Sequence, residues 1–489
     1  MVPLVSITLF LPLAGAILLI AWRDPAPRTA HCIGLIVSGL TLLGAIGLWA
    51  RGVGATFTQV EEVRWIPSLG AAYRVGVDGI SAPLALMTAA LFVAALAFSV
   101  SITERTRSYV ALFLLLETAC LGVFLALDLV LFYVFWEVSL VAMYFIIAGW
   151  GHNLLERQRA ALTFFLYTLL GSLPLLLAII ALYLGGNPRT FDMRAIIAAP
   201  PLVGLTAALT FVALLIAFAV KTPLFPLHTW LPLAHTEAPT AGSAVLAGVL
   251  LKLGTYGFIR LALQMTPGAF RAAAPYVAAL AVVSALYGAF VALAQTDLKR
   301  MVAYTSVNHM GYVVLAVAAA AANQSARALA IDGAVLQMVS HGIVTGALFL
   351  LVGAVQDRAE TREMAAFGGL LRVVPVIGWG FILAAFASLG LPGLAHFPAE
   401  FQIFLGTFQV WPVAAAFAVL GIVITAGLYL RAIQMTFIGA VPERWQQMPD
   451  LRAHERWAIV PLLILVVLIG VAPGGILAVI HRAAQVIGV

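Results

Sequence analysis

The sequence predicts an all-α integral membrane protein of about fourteen transmembrane helices, and three observations carry that expectation. Of its 489 residues, 63% are hydrophobic and only 9% are charged, whereas a soluble domain carries about 25% charged residues. The apolar residues fall into runs that can cross about 30 Å of hydrocarbon at a rise of about 1.5 Å per residue. Prolines interrupt two of these runs at membrane depth, beside lysines and a glutamate that lipid alone would not tolerate.

Taken in order, the runs lie at about 3–22, 30–50, 77–101, 108–127, 129–150, 160–184, 203–222, 239–263, 273–296, 301–322, 329–356, 373–391 (continuing broken to 410), 412–438 and 457–480. The first, Leu4–Trp22, lacks a basic leader and an A-x-A cleavage site, so it reads as a span and not as a cleaved signal. Spans 1–3 form an N-terminal group over 1–107. The longest connection, 51–76, is polar and contains glycine, which predicts an extramembrane hairpin or short helix.

Spans 4 and 5 read LLLETACLGVFLALDLVLFYVFWEVSLVAMYFIIAG. Glu137 lies about 12 Å along span 5 at the helical rise. An ionised carboxylate there needs a partner, or it stays protonated; Lys221 or Lys252 could supply the charge. The competing reading is a structural ion pair that locks helices. Glu117, also inside a span, is a candidate member of the same group. Asp128 at the tight turn reads as a helix N-cap. In span 6, Thr168, Gly171 and Ser172 read as close helix packing, or otherwise as support for a water wire.

The stretch from Lys221 to Lys252 organises the chain. Pro223, Pro226, Pro232 and Pro239 lie between the two lysines. A lysine at mid-helix costs about 2.5–3.5 kcal/mol on insertion scales, and broken helix at membrane depth is tolerated only where protein or trapped water surrounds it. Two amines flanking a break therefore point to a wet interior path for ions. Lys221 could alternatively snorkel to the surface beside a re-entrant loop. Lys252 has no such escape, because it lies near the middle of the 24-residue apolar run Thr240–Leu263. His228, His235 and Glu237 lie in the broken region, as proton relays or as caps of open backbone.

The second half repeats the pattern. Span 10 carries His309, span 11 carries His341, and FASLGLPGLAHFPAEF breaks span 12 before Glu400. Arg431 lies in span 13. Glu137 to His309 is 172 residues, Lys221 to Glu400 is 179 and Lys252 to Arg431 is 179. Spans 4–8 (108–263) would then correspond to spans 9–13 (273–438), with 457–489 as a C-terminal span. Five spans per repeat is odd, so the two run with opposite topology, and inverted repeats with paired broken helices are a transporter signature.

Composition also excludes. No Gly-rich nucleotide loop, haem motif or iron–sulfur motif is present, and Cys32 and Cys120 fit no metal or redox spacing, so no cofactor and no metal is expected. The net charge of +6 suits anionic lipid or acidic partners and does not indicate nucleic acid. Loops after odd-numbered spans hold fourteen Lys and Arg, from Arg23 to Arg456, against nine on the other side. That bias puts both termini outside.

At LFYVFWEVSLVAMYFI, FPLHTWLPLAHTEAPTAGSAVLAGVLLKLGTYGFIR, DLKRMVAYTSVNHMGYVVLAV and VLQMVSHGIVTGALFLLVG the chain resembles the antiporter-like membrane subunits of proton-pumping NADH:quinone oxidoreductase (complex I), nearest the M type. The resemblance covers about 75–440. Mrp-type cation/proton antiporter subunits and membrane hydrogenase subunits share parts of it. It implies about fourteen spans, two inverted five-helix repeats with broken helices 7 and 12, and two half-channels joined by a polar axis. Carried over, Glu137 matches the glutamate of span 5, Lys221 the lysine at the break, Lys252 the central lysine, His309 and His341 the connecting histidines, and Glu400 the terminal carboxylate. Redox centres and the quinone site belong to other subunits of such complexes. The implied partners are those membrane subunits, the bilayer and protons, in a bacterial inner membrane.

Two departures from the family pattern stand out. His396-Phe397-Pro398-Ala399-Glu400-Phe401 replaces Gly-Phe-x-Gly-Glu-Phe, which puts Pro398 in the first turn of the helix half that carries Glu400 and adds His396, expected outside that helix start, as a candidate partner of the carboxylate. Leu233 stands where an aspartate often follows Trp-Leu-Pro. Electrostatics then predicts a Glu137–Lys221 ion pair whose opening would release a proton towards Lys252, with His309 and His341 carrying it to Glu400. The rivals are a Na⁺/H⁺ antiporter or hydrogenase subunit, a structural scaffold, and a quinone-reactive enzyme, the last disfavoured by the missing motifs.

Overall fold

The computed structural model describes residues 2–23 and 25–487. Thirteen of the described helices are long and apolar enough to cross a membrane, and the broken twelfth adds Pro375–Ser388 to them. The spans are 1 (Leu4–Ala21), 2 (Pro27–Ala50), 3 (Ser81–Ser101), 4 (Thr106–Leu125), 5 (Leu129–Trp150), 6 (Leu154–Gly185), 7a (Gly204–Lys221), 8 (Thr240–Leu263), 9 (Pro267–Leu293), 10 (Leu298–Ala322), 11 (Gln324–Ala359), 12a (Pro375–Ser388), 13 (Pro412–Phe437) and 14 (Ala453–Val471). The second halves of the broken helices are 7b, Trp230–Glu237, and 12b, His396–Phe408. The polar 51–76 stretch is an antiparallel hairpin, Thr58–Ile66 with Ala71–Val77. Asp128 is the N-cap of span 5 and accepts from the Val130 and Leu131 amides, as its place at the turn predicts.

One boundary differs from the sequence reading. The last apolar run is not a single helix to 480. Span 14 ends at Val471, Pro473 follows, and a separate helix runs Gly474–Gln485. Proline lacks the N–H that would continue the ladder, although apolar residues extend past it. The second helix packs on span 11, where His481 meets Asp332.

Spans 8, 10 and 11 are buried along nearly their whole length, whereas less than half of spans 1, 2 and 14 is buried. Span 11 is the hub, with spans 10, 12b, 3, 8 and 14 against it. Polar residues on spans 8, 10 and 11 therefore face protein and not lipid. Span 8 comes close to span 11 through glycine. A Cβ at Gly342 would lie 2.8 Å from the Gly248 carbonyl oxygen, so neither backbone leaves room for a side chain there.

The breaks are held by side chains, as membrane depth requires. After span 7a, the Trp230 indole donates to the Val220 carbonyl at 3.0 Å, and the Phe225 amide donates to Ser284 Oγ of span 9 at 3.1 Å. After span 12a, Gly390 and Gly393 take φ of +82° and +88°, a region open to glycine at little cost.

Three basic residues counted as loop charges are buried, namely Lys299, Arg260 and Arg327. Arg260 pairs with Asp78. Without them the count is thirteen against seven, so the asymmetry persists.

Candidate functional site

The chemistry concentrates where the breaks and the buried spans meet. Span 8 is itself irregular, with π-helical turns at Leu246–Leu250 and Phe258–Leu263. Such turns widen the helix and are frequent at functional sites. Between them stands Lys252, fully buried. Its ammonium donates to the Ala247 carbonyl at the first π turn and lies 2.7 Å from His341 Nδ1. His341 Nε2 lies within hydrogen-bond distance of Thr345 Oγ1, at 3.2 Å. When Lys252 is an ammonium, a donor only, Nδ1 must accept and the ring carries its proton on Nε2.

The break in span 12 supplies the next group. The Ala385, Phe386 and Ala387 carbonyls at the end of 12a accept from the amides of Leu389, Leu391 and Gly390, and His309 Nε2 donates to the last one, Ser388 O, at 2.9 Å. Tyr429 of span 13 donates to the Ser388 hydroxyl at 2.9 Å and holds that residue in place. The His309 ring lies 5.3 Å from His341 and 4.8 Å from His396, and His341 and His396 stack nearly parallel at 5.9 Å. Three imidazoles from three helices thus share one buried cluster. Glu400 closes it. Its Oε1 is 3.7 Å from His309 Nε2 and 3.6 Å from His396 Nδ1, and it accepts from Gln337 Nε2 at 3.0 Å.

His396 corrects one expectation. It is not outside the start of the helix that carries Glu400; it opens that helix, with Pro398 in the first turn, where no N–H is needed. One helical turn then separates His396 from Glu400, so the two meet on one face. Both His396 nitrogens lack a hydrogen-bond partner among the described residues.

The other half is less tightly connected. Lys221, the last residue of span 7a, is buried with its Nζ 5.2 Å from the Trp136 ring centre and 6.0 Å from that of Phe164. No carboxylate lies within ion-pair distance, and neither Lys221 Nζ nor Glu137 Oε1 has a hydrogen-bond partner among the described residues. The expected Glu137–Lys221 ion pair is therefore open in this structure, with aromatic faces taking the place of the anion. Glu137 is half-buried, and Tyr133, which also faces Ser172, is its neighbour.

Three further candidates sit apart from the chain of contacts through Lys252. Glu117 accepts from Ser38 Oγ at 3.0 Å and makes no ion pair among the described residues. His228 is ringed by Phe225, Tyr287 and Tyr304. Arg431 donates to the carbonyls of Leu293 and Gln295 and so caps the end of span 9; its match to Lys252 in sequence offset is not a match in surroundings. His235, on 7b, is fully buried, stacked 4.5 Å on Phe349, and neither nitrogen has a hydrogen-bond partner among the described residues.

Sequence reasoning missed Gln337 and Lys299. Gln337 lies four residues before His341, hence on the same face of span 11, and that spacing was the available signal. Lys299 sits in the first turn of span 10, where a cation opposes the helix dipole. A lysine held there must have a partner elsewhere.

Residues 126–425 match the family described as NADH:quinone oxidoreductase/Mrp antiporter, TM. The chain is 38% identical to NADH-quinone oxidoreductase subunit M of Rickettsia prowazekii (strain Madrid E), over 99% of this chain and 98% of that one. It is 40% identical to NADH-quinone oxidoreductase subunit M of Rhodobacter capsulatus, over 96% and 93%. Among solved structures it is similar to a chain of respiratory complex I from Thermus thermophilus with bound NADH, at a TM-score of 0.90, 32% identity and 98% coverage of both chains.

Proposed function

The chain belongs to the NADH:quinone oxidoreductase/Mrp antiporter family, and we propose that it carries protons across the membrane as the M-type subunit of a quinone-reducing NADH dehydrogenase complex. The observation that carries this is the buried contact series Lys252–His341–His309/His396–Glu400, which joins four helices through titratable groups alone. Amine, imidazole and carboxyl can each take and return a proton without bond rearrangement. A scaffold gains nothing from placing them in a row.

The roles follow from the contacts. Lys252 hands a proton to His341 Nδ1 along a hydrogen bond already formed. The imidazole can accept at one nitrogen and release from the other. The three-ring cluster brings the proton to Glu400, the last site before the outlet. Lys221 and Glu137 act upstream. Closing their gap would stabilise the lysine cation, and opening it would favour release towards Lys252. In this reading residues 108–263 and 273–438 each supply one half-path, with 1–107 and 457–489 flanking them. Redox chemistry and quinone reduction are assigned to companion subunits, in a bacterial inner membrane. Both termini face outward, because the basic-rich loops are then inside.

The test is Lys252→Met and Glu400→Gln in the intact complex reconstituted in vesicles. Pumping by each variant should fall at least tenfold while the complex still assembles. Assembly with normal pumping would overturn the reading, and disassembly with little residual pumping defect per assembled complex would favour a scaffold.

A further inference from the structure

Lys299 was expected in a loop, yet the structure buries it completely. Its backbone is fixed by the Asp297 cap, which accepts from the Lys299 and Arg300 amides at 2.8 and 2.9 Å. Arg300 points outward, and Lys299 points into the bundle. Its Nζ donates to the Ala238 carbonyl, between 7b and span 8, at 2.7 Å, and lies 3.5 Å from His152 Nε2. His152 belongs to the connection between spans 5 and 6. Partial burial, with the Lys299 and Arg362 charges beside it, holds its imidazole below the ordinary range, so it faces the lysine as a neutral ring.

Four charged groups surround the amine, namely Arg362, Asp357, Asp297 and Glu237. Asp297 is paired with Arg362 at 3.0 Å, and Glu237 accepts from the Asn153 amide at 3.2 Å. Asp357 has neither an ion pair nor a hydrogen bond among the described residues, and it is exposed. Asp357 and His152 both line a cavity of about 180 Å³ at this face, with Ser101, Pro239 and Thr240 in its wall. That volume holds several waters, and its polar groups give them partners. On the inner side stands His235, which has both Lys299 and Lys252 as charged neighbours.

We propose that Lys299, behind a water-filled cavity whose mouth is formed by Asp357 and His152, is the proton intake that serves Lys252 from the basic-rich face. The inference rests on the proton-carrying reading above and adds where the proton comes in. Cavity water relays a proton from the bulk phase to the neutral amine, which becomes an ammonium, and the water is left unchanged. The ammonium passes one proton through water and the His235 ring to the neutral Lys252 amine and returns to its starting form. Asp357 at the mouth offers the arriving proton a carboxylate. The hydrogen bond to Ala238 O survives both states, since amine and ammonium both carry N–H.

The alternative is that Lys299 only caps the end of 7b. Lys299→Arg separates the two, because a guanidinium keeps the charge and the donor but does not release a proton. In the reconstituted complex, Lys299→Arg should assemble and lose at least nine-tenths of pumping. A second arm uses Ser101→Cys in a Cys32→Ser background. Ser101 lines the cavity, so each preparation is compared with the same variant before modification. A charged, membrane-impermeant thiol reagent on the basic-rich face should then slow pumping severalfold. Normal pumping by Lys299→Arg, or, where that variant fails to assemble, unchanged pumping by modified Ser101→Cys, overturns the proposal. Lys252→Met in the same preparation reports on the underlying reading. If it stops pumping while Lys299→Arg does not, the intake lies elsewhere and the carrier stands; if it pumps normally, the carrier reading has failed.

Discussion

Gln337 holds the end of the series. Its amide donates to Glu400 Oε1 and its carbonyl oxygen accepts from Ser340 at 3.2 Å, so the side chain is clamped and cannot swing away from the carboxyl group. A hydrogen bond to a charged group contributes about 1.5–3 kcal/mol. Gln337→Leu keeps the volume and removes the donor. Pumping is expected to fall roughly tenfold or more by that magnitude, with assembly intact; pumping at the parent rate would mean that Glu400 is positioned by His309 and His396 alone. The residues that could be read from the sequence share one property. Lys252, His309, His341 and Glu400 are ionisable groups inside apolar runs, where each demands an explanation. Gln337 is neutral, the Ser388 carbonyl is backbone, and Lys299 sits at a helix start that resembles a loop end. Each of these acts through geometry that no residue type announces.

The elements were legible where covalent chemistry dictates them. Prolines and glycines mark both breaks, and Asp128 marks a cap. The 51–76 connection was open between hairpin and helix because its strands show no clean alternation, and the end of span 14 was missed because apolar residues run on past Pro473. The hairpin is tied down by charge. Arg74 bridges Glu62 at 2.8 Å and Asp128 at 2.8 Å, and Arg194 bridges Glu62 at 3.0 Å and Asp192 at 2.6 Å. The Arg74 bond, against the opposing effect of burial and with help from Arg194, holds the Glu62 carboxyl below its ordinary range. Burial alone would raise Asp192, but its bonds to Arg194 and the nearby Arg74 charge outweigh that and lower it. Carboxyls lowered on folding contribute stability that is present above their unfolded pKa of about 4 and lost as pH falls through the folded value. Exposed pairs contribute only about 0–1 kcal/mol each, so acid should loosen the hairpin without unfolding the bundle. Hydrogen-exchange protection of the Thr58–Ile66 amides, corrected for intrinsic rates, should hold from pH 7 to 5 and drop below about pH 4. Arg194→Gln should lower the plateau and flatten the transition. Protection that stays constant down to pH 3 would show that these pairs do not fasten the hairpin.

Across the whole molecule, both chain ends gather on one face. Glu61 of the hairpin accepts from the Val5 and Ser6 amides at 2.9 Å, which ties the start of span 1 to the connection after span 2. At the other end Arg327, at the start of span 11, donates to the Ile487 carbonyl at 3.1 Å. An even number of spans between the ends follows from that shared face. Which face looks outward is set by the loop cations. The buried Lys299, Arg260 and Arg327 cannot act as loop signals, and the remaining bias still favours the loops after odd-numbered spans as the inner side. The Lys299 cavity opens on that side, so orientation and the direction of proton flow stand or fall together. In the Cys32→Ser background, Val2→Cys and Val486→Cys should label with an impermeant thiol reagent from outside intact cells, and Ser101→Cys only after permeabilisation. Labelling of the two tails from opposite sides would break the span count. Labelling of both tails only after permeabilisation would keep the fold and invert it in the membrane. The cavity behind Asp357 and His152 would then face the outside, and a pump that takes protons from within would need Glu400, not Lys299, at its intake.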